Sequence, residues 1–261
     1  MGEAVYDASH VLISRLVGRQ YNNPLGEAAF PVLRRLIGDS FAPPRVLDVG
    51  CGRGRTALWW ARQGARVVAF DPSSAMLAEA QRLLEESALA GAVSLSCTDL
   101  AGFHPAESFD LAIVHDVLCY SGDRTSDLGR ILSLCRPGGF VSVTDYFGDV
   151  GVTSVEAIVG AWGIRPTLGF SAYSELLSSL GGELLLLCDT TRQYGDHWAS
   201  IKERVATERK SILAHVRADA IDRFEHQIGS IERALADRHF GHLWAIIQKP
   251  APGRQERHVD G

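Results

Sequence analysis

The sequence predicts an α/β fold in which a mostly parallel sheet is covered by helices on both faces. Short apolar runs alternate with segments of helical periodicity along most of the 261 residues, a pattern typical of parallel sheets with helical crossovers. Three closely spaced glycines follow the first apolar run, where such sheets bring the backbone close to a ligand. We predict strands near residues 45–50, 66–70, 92–97, 109–115, 139–145, 183–189 and 242–248, and helices near residues 54–63, 74–88, 124–135 and 171–180.

Two segments fall outside this alternation. Residues 1–42 are predicted to form an N-terminal helical cap, with helical stretches at 6–16 and 25–36. Residues 191–240 carry a helical pattern over about 50 residues, too long for an ordinary connection, so we predict a helical insertion that forms a lid. The core domain is then residues 43–190 and 241–250. The tail, 251–261, has no apolar periodicity and is predicted to be disordered.

Composition argues against a nucleic-acid or membrane partner. Hydrophobic residues make up 46% of the chain and the net charge is −5, with no basic patch of the kind that binds phosphates. No apolar run approaches the roughly 18 residues of a membrane span. The five cysteines are odd in number and show no Cys-x-x-Cys spacing. We therefore expect reduced, buried thiols in a cytoplasmic protein.

The glycine turn has a spacing that distinguishes between cofactors. Residues 45–71 read RVLDVGCGRGRTALWWARQGARVVAFD. The dinucleotide fingerprint Gly-x-Gly-x-x-Gly requires its third glycine at position 55, where Arg55 stands, and this chain has Gly54 instead. The shorter turn, preceded by the acidic Asp48, suits a ligand with a cationic amino-acid end and no pyrophosphate. Asp71, at the tip of the second strand, can accept hydrogen bonds from two ribose hydroxyls. Together these features favour S-adenosylmethionine over a nicotinamide.

Further motifs follow in a fixed order. VLDVGCGRG is followed by FDPSSAMLAEA, CTDLAGF, FDLAIVHDVLCYSGD and RPGGFVSVTDY. From residue 46 to residue 146 this series resembles the class I S-adenosylmethionine-dependent methyltransferases. The resemblance implies a Rossmann-like, seven-stranded sheet of order 3-2-1-4-5-7-6, with strand seven antiparallel.

In such sheets the ligand lies at the carboxyl ends of the strands. That rule and the resemblance together imply a set of cofactor-binding residues, among which Met76 and Asp99 would contact the adenine. Asp71 and Asp99 also have an interpretation as helix N-caps, and His115 one as a polar residue satisfied within the protein. The full set is Tyr21, Asp48, Gly50, Cys51, Gly52, Asp71, Pro72, Met76, Asp99, Leu100 and His115.

The outer motifs point to the methyl acceptor. CYSGDR, DTTRQYGDHW and HLWAIIQKP resemble the small-amine methyltransferases, of the glycine, sarcosine, dimethylglycine and phosphoethanolamine types. One departure is that Arg165, Pro166 and Thr167 stand where a phosphate-binding tyrosine and basic residues would be expected, which argues against a phosphorylated acceptor. We predict an amine nitrogen, with an oxygen or carbon acceptor as the alternative.

Methyl transfer from a sulfonium is an in-line displacement with an activated leaving group, so the protein must align the reactants and exclude water. No metal is required. An amine must lose a proton before it attacks, to water or to a base. The candidate bases are Tyr6, Tyr146 and His197, with His115 also near the crevice. His197 could equally be a surface helix residue. A cationic acceptor could be bound by charge and by aromatic faces, although aromatic residues at helical spacing more often pack in a core. The predicted acceptor-binding residues are Asp145, Tyr146, Tyr194 and Trp198.

Two other functions are consistent with a glycine-rich turn. A nicotinamide-dependent oxidoreductase is disfavoured by the early Gly54 and by the acid at Asp99. A protein that binds the cofactor without moving a methyl group would share the same motifs.

Overall fold

The computed structural model describes residues 13 and 16 and residues 23–38, 43–149, 151–165 and 169–251. Its centre is a seven-stranded sheet of order β3-β2-β1-β4-β5-β7-β6. Only β7 runs antiparallel to its neighbours, so the predicted order and the direction of strand seven are both confirmed. The strands are β1 Arg45–Val49, β2 Arg66–Asp71, β3 Val93–Cys97, β4 Phe109–His115, β5 Cys135–Gly148, β6 Glu183–Asp189 and β7 Phe240–Gln248.

The four helices predicted between the strands are present, with ends that differ by at most two residues. The full set in the described ranges is α1 Phe30–Ile37, α2 Arg55–Arg62, α3 Ser74–Glu86, α4 Arg124–Leu134, α5 Thr153–Trp162, α6 Phe170–Ser179, α7 Thr191–Leu213 and α8 Ala218–Ala236. Helix α5 was not predicted, because its sequence TSVEAIVGAW is rich in β-branched residues and has no polar face to reveal a helical period. The available sign was Gly163, which ends α5 in a left-handed conformation at φ 66°.

Strand β5 is longer than predicted. It begins at Cys135, and its pairing with β4 is irregular between Phe109 and Leu111. The irregular stretch contains Pro137, Gly138 and Gly139, of which Gly138 has φ 78°. Glycine permits that left-handed conformation, so the chain can bend before the regular pairing begins at Phe140.

Side-chain alternation along the strands decides which face of the sheet each residue occupies. Val46 and Ile113 pack in one cluster with α1, α2 and α3. Leu47 and Val114 pack in another cluster with α4 and α6, on the opposite face. The same alternation continues to the strand tips, so neighbouring polar residues there lie on opposite faces of the sheet.

A third cluster joins α5, α7 and α8 to Tyr146 of β5 and Phe240 of β7. The α7–α8 segment leaves the sheet after β6 and returns at β7, so both its ends lie at the carboxyl edge of the parallel strands. Ile13 and Leu16 also pack on this cluster, whereas the rest of the predicted helix at 6–16 and the predicted disordered tail from 252 onward lie outside the described residues.

Among the residues that the structure describes, no helix combines the length and the apolar character needed to cross a membrane. All five cysteines are free. The prediction of buried thiols is wrong for Cys97, which is exposed, and Cys188 is only partly buried.

Candidate cofactor and acceptor site

The three glycines between β1 and α2 all have a left-handed φ, but they meet different surroundings. A Cβ on Gly50 would lie 2.5 Å from the Val117 side chain, and one on Gly54 would lie 2.9 Å from the Ala80 Cβ. A Cβ on Gly52, at φ 51°, would meet nothing within 4 Å. The protein's own packing therefore requires the first and third glycines, while Gly52 borders open space that a ligand could fill.

Asp71 joins the tip of β2 to this turn. Its Oδ2 accepts the Gly52 N–H at 2.9 Å and its Oδ1 accepts the Ser73 N–H at 2.9 Å. The cap of α3 is Ser73, whose Oγ accepts the Met76 N–H at 3.3 Å, so the N-cap role considered for Asp71 belongs to Ser73. Burial raises the pKa of Asp71, although the hydrogen bonds from the Ser73 and Gly52 N–H groups act to lower it. Each carboxylate oxygen retains a second lone pair for a hydroxyl group.

Replacing Asp71 by Ala should weaken binding of S-adenosylhomocysteine about 5- to 150-fold, the cost of leaving buried hydroxyls without an acceptor. The measurement is calorimetric titration of the purified protein. Asp189→Ala is the matched control, because Asp189 also ends a strand and accepts the N–H of the residue two positions on, Thr191, at 2.8 Å. If both variants bind as tightly as the wild type, β2 does not end at the ribose.

Asp48, in β1, is buried close to Asp71. The Ala57 N–H donates to its carboxyl group, but its buried Oδ2 has no hydrogen-bond partner in the described parts of the chain. Burial, with a smaller contribution from the charge of Asp71, raises the pKa of Asp48 to about 8. A buried carboxyl group lacking a donor fits a ligand that brings a cation, because the cation would favour its ionised form.

We therefore expect the affinity for S-adenosylmethionine to rise with pH and to level off above about 8, the pKa of Asp48. Below that pH the carboxyl group is protonated, and binding a cationic group should release about one proton. Titrations in buffers of different ionisation enthalpy measure this release directly. Asp48→Asn cannot ionise and should remove the dependence; an unchanged pH profile in that variant would contradict the assignment.

The remaining predicted cofactor residues lie along the edge formed by β1, β2 and β3. Asp71 and Cys97 are register partners, so Pro72 and Asp99 follow neighbouring strand ends. Asp99 is exposed, and its Oδ1 accepts the Gly102 N–H at 2.9 Å. The others at this edge are Cys51 and Met76, which are buried, and Leu100, which is partly buried.

The structure does not support a direct cofactor contact through the ring nitrogens of His115. Asn23 Nδ2 lies 2.8 Å from Nδ1 and Ser142 Oγ lies 2.9 Å from Nε2. Because Asn23 Oδ1 accepts the Leu25 N–H, its amide donates to Nδ1, so the proton of the neutral ring is on Nε2. Burial lowers the pKa of His115 to about 4. The ring also stacks on Phe30, so this histidine connects the N-terminal segment to the sheet.

Asp145 was predicted to bind a cationic acceptor, and here the structure corrects the prediction. Its Oδ2 accepts Arg124 Nε at 2.7 Å and the Tyr173 hydroxyl at 2.8 Å, and its side chain has no exposed surface. By the alternation of β5, Asp145 lies on the opposite face from Thr144 and Tyr146. Oδ2 of this carboxylate is therefore paired with α4 and α6, whereas its buried Oδ1 has no hydrogen-bond partner among the described residues.

The predicted aromatic residues belong to one buried cluster. Tyr146 lies edge-on to Tyr194, with ring centroids 5.3 Å apart, and stacks on Phe240 at 5.6 Å. Trp198 packs edge-on against Trp162. Burial raises the pKa of Tyr146 well above its ordinary value. A phenol that keeps its proton in this way is unsuited to the role of base predicted for Tyr146.

Of the other candidate bases, His197 is in α7 and lies edge-on to Trp198, with ring centroids 5.8 Å apart. Its role as base stays a prediction. Tyr6 and Tyr21 lie outside the described residues.

The structure pairs two residues at the tip of β4 that sequence reasoning did not connect. Asp116 follows β4, and its Oδ1 lies 2.9 Å from His242 Nε2 and 2.8 Å from the Thr144 hydroxyl. The signal was present, because Asp116 follows a predicted strand and His242 begins the predicted last strand. Their proximity depends on β7 lying beside β5, with Tyr146 opposite His242.

Comparison with known proteins agrees with this geometry. Residues 46–139 match the family model described as a methyltransferase domain, and the match spans β1 to the start of β5. The strand order and the glycine turn between β1 and α2 agree with this match. Residues 46–139 are therefore a methyltransferase domain, and the predicted resemblance to the class I S-adenosylmethionine-dependent methyltransferases is confirmed.

A ubiquinone biosynthesis O-methyltransferase of Rhodopseudomonas palustris is 34% identical over 99 residues, which is 38% of this chain and 38% of that protein. The chain thus matches less than half the length of such relatives. The fold is similar to phosphoethanolamine N-methyltransferase 2 of Haemonchus contortus, solved with phosphomonomethylethanolamine and S-adenosylhomocysteine (TM-score 0.83, 21% identity, 95% of this chain, 59% of that chain). It is also similar to a putative sarcosine dimethylglycine methyltransferase of Galdieria sulphuraria (TM-score 0.79, 14% identity, 94% and 99%).

Proposed function

We propose that this protein transfers a methyl group from S-adenosylmethionine to the nitrogen of a small amine. The observation that supports S-adenosylmethionine as the methyl donor is the hydrogen bond from the Gly52 N–H to Asp71 Oδ2 at 2.9 Å. This hydrogen bond lies beside the open space at Gly52. When bound, the donor supplies a methyl group on a sulfonium that is already a good leaving group. Asp71 would accept the ribose hydroxyls, and Asp48 would receive the cationic amino-acid end.

The α7–α8 segment and the N-terminal residues are proposed to act as lid and cap. The segment begins and ends at the carboxyl edge of the sheet, and Ile13 packs on the same cluster as Tyr194 and Trp198. Closing this edge would exclude water from the transfer and hold the acceptor in line with the methyl group. In this proposal the aromatic residues shape the wall of the acceptor pocket.

An amine acceptor is supported by the two structural neighbours described above, one named a phosphoethanolamine N-methyltransferase and the other a putative sarcosine dimethylglycine methyltransferase. It is also supported by the buried carboxylate of Asp116, which suits a group that carries N–H donors. Oxygen methylation is the second candidate, because several relatives similar in sequence are O-methyltransferases. The domain and the proposed donor site are the same in either case.

The test is a panel of primary and secondary amines, each paired with the alcohol or phenol of the same carbon skeleton. The protein is incubated with S-adenosylmethionine labelled in the methyl group, and products are identified by mass. We expect label on the amine member of a pair. Label on the hydroxyl members alone would establish the second candidate. Binding of S-adenosylhomocysteine without transfer to any acceptor would indicate a binding protein, and binding of NAD instead would contradict the proposal altogether.

A further inference from the structure

We propose that Arg124 is a positioning residue for methyl transfer, because its guanidinium group holds the segment that follows β4 in the place where this segment borders the acceptor. Residues 116–123, between β4 and α4, are called the β4–α4 segment. The inference rests on the proposed methyl transfer and names the residue that keeps its acceptor side aligned.

The β4–α4 segment extends from the donor turn to the proposed wall of the acceptor pocket. At its start, the Val117 side chain lies against Gly50, where an added Cβ would meet it at 2.5 Å. In its middle, Cys119 has no exposed surface and belongs to the cluster of Tyr146 and Trp198. Misplacing reacting groups by about 1 Å can cost about 100-fold in rate, so transfer requires this segment to be held firmly.

Arg124 bonds to two separate elements beside this segment. Its Nε donates to Asp145 Oδ2 of β5 at 2.7 Å, and a terminal guanidinium nitrogen donates to the Arg165 carbonyl. The Arg165 N–H in turn donates to the Cys119 carbonyl at 2.8 Å. Arg165 therefore connects Arg124 to the middle of the β4–α4 segment, while Asp145 fixes Arg124 to the sheet.

Stability alone is a weak explanation for this buried ion pair. The side chains of Arg124 and Asp145 are 4% and 0% exposed. Removing two charges from water costs about as much as their attraction returns, and apolar side chains of similar volume are often equally stable. A guanidinium group differs from them in having several donors in one rigid plane. It can therefore hold β5 and the Arg165 carbonyl at a fixed separation.

Tyr173 offers a comparison within the same network. Its hydroxyl group donates to the same Asp145 Oδ2 at 2.8 Å, and its buried ring lies in the cluster under α4 and α6. Removing this hydroxyl group takes one hydrogen bond from Asp145 and leaves both bonds of Arg124 in place. Tyr173→Phe is therefore a matched control, because it weakens the network without releasing the β4–α4 segment.

The test variant combines Arg124→Met with Asp145→Asn. It removes both charges and the bond to the Arg165 carbonyl while keeping side chains of similar size. Changing both residues avoids the uncompensated buried carboxylate that Arg124→Met alone would leave. The measurements are the Kd of S-adenosylhomocysteine by calorimetry and the kcat and KM of the panel compound with the highest wild-type turnover. Amide hydrogen exchange of residues 116–123 and Arg165 is followed in the free protein.

For the double variant we expect the KM of the acceptor to rise and kcat/KM to fall about 10- to 100-fold, as for reactants that are no longer aligned. The Kd of S-adenosylhomocysteine should change far less, because β1 and β2 keep their contacts. Exchange of the Arg165 amide should become faster. Arg124→Lys keeps a cation for Asp145 without the rigid set of donors, so its kcat/KM should be intermediate; it carries the test if the double variant does not fold.

Tyr173→Phe should unfold at a lower urea concentration than the wild type, since it loses a buried hydrogen bond. Its acceptor KM and its amide exchange at Arg165 should nevertheless match those of the wild type. Losses of kcat/KM equal to those of the double variant would overturn the inference, because they would follow the stability of the network and not the hold on the β4–α4 segment.

An unchanged kcat/KM in the double variant would also overturn the inference while leaving methyl transfer intact. An equal loss of S-adenosylhomocysteine affinity would do the same, because the effect would then not belong to the acceptor side. Failure of the wild type to bind S-adenosylhomocysteine would instead remove the proposed function on which the inference rests. Exchange of the Arg165 amide distinguishes the two failures, since it tests the contact with no ligand present.

Discussion

Gly52→Ala should abolish most cofactor binding while leaving the fold nearly intact. The added Cβ meets no protein atom within 4 Å, so in the free protein the substitution adds only the cost of a left-handed alanine, about 1–2 kcal/mol. In the proposed complex the same methyl group occupies space that the ligand needs. Forcing a methyl group into a filled site should weaken S-adenosylhomocysteine binding about 10- to 150-fold.

Substitutions at two other glycines distinguish the loss of ligand affinity from the loss of stability. Gly64 also has a left-handed φ, of 80°, and open space around its Cβ position, but it lies in the turn before β2, at the amino edge of the sheet. Gly64→Ala should lose a similar stability and bind normally. Gly54→Ala should unfold more easily than either, because its Cβ would lie 2.9 Å from the Ala80 Cβ. Titration calorimetry and urea unfolding measure the two quantities, and equal affinities in Gly52→Ala and Gly64→Ala would exclude a ligand at this turn.

Arg124→Ala should destabilise the protein by about 3–5 kcal/mol at neutral pH, because it leaves the buried carboxylate of Asp145 without its cation. Both side chains of the pair are buried, and the Tyr173 hydroxyl also donates to the same oxygen. Without Arg124 the pKa of Asp145, already raised by burial, should rise further. The loss of stability in Arg124→Ala should therefore be smaller at lower pH, because a protonated carboxyl group costs less to bury than a charged one.

Urea unfolding at neutral and at acidic pH measures this effect. Asp145→Asn in the Arg124→Ala background should recover part of the stability, because it removes the unpaired charge. Arg209→Ala is the control on an exposed arginine, which pairs with Asp222 and Glu225 on the surface, and it should cost much less. A loss in Arg124→Ala that does not depend on pH would show that side-chain packing, and not the charge of Asp145, sets the cost.

The donor side of the site was predictable from the sequence because its residues are close together along the chain. The glycine turn and Asp71 lie within one strand, helix and strand, and the distinction between Gly54 and Arg55 depends only on local spacing. The strand order came from the resemblance of ordered motifs to one family, and the structure bears it out. Helix α5 was missed since its sequence lacks the polar face on which periodicity depends.

The acceptor side was less predictable because it is built from distant segments. Asp145 looked available at a strand tip, but residue parity on β5 turns it toward Arg124 and Tyr173. Tyr194 and Trp198 were predicted to bind the acceptor, and the structure places them in a buried aromatic cluster. No local pattern distinguishes these outcomes, because they depend on which elements cover each face of the sheet.

The sequence by itself determined the class of the domain and the identity of the methyl donor, since the turn chemistry that selects a cofactor is written in consecutive residues. Only the tertiary structure decided which side chains pair with the carboxyl groups at the strand tips. Asp116 and His242 are 126 positions apart, and they meet because β7 inserts antiparallel beside β5. A hydrogen bond across that distance depends on the packing of the whole sheet, which no short stretch of sequence specifies.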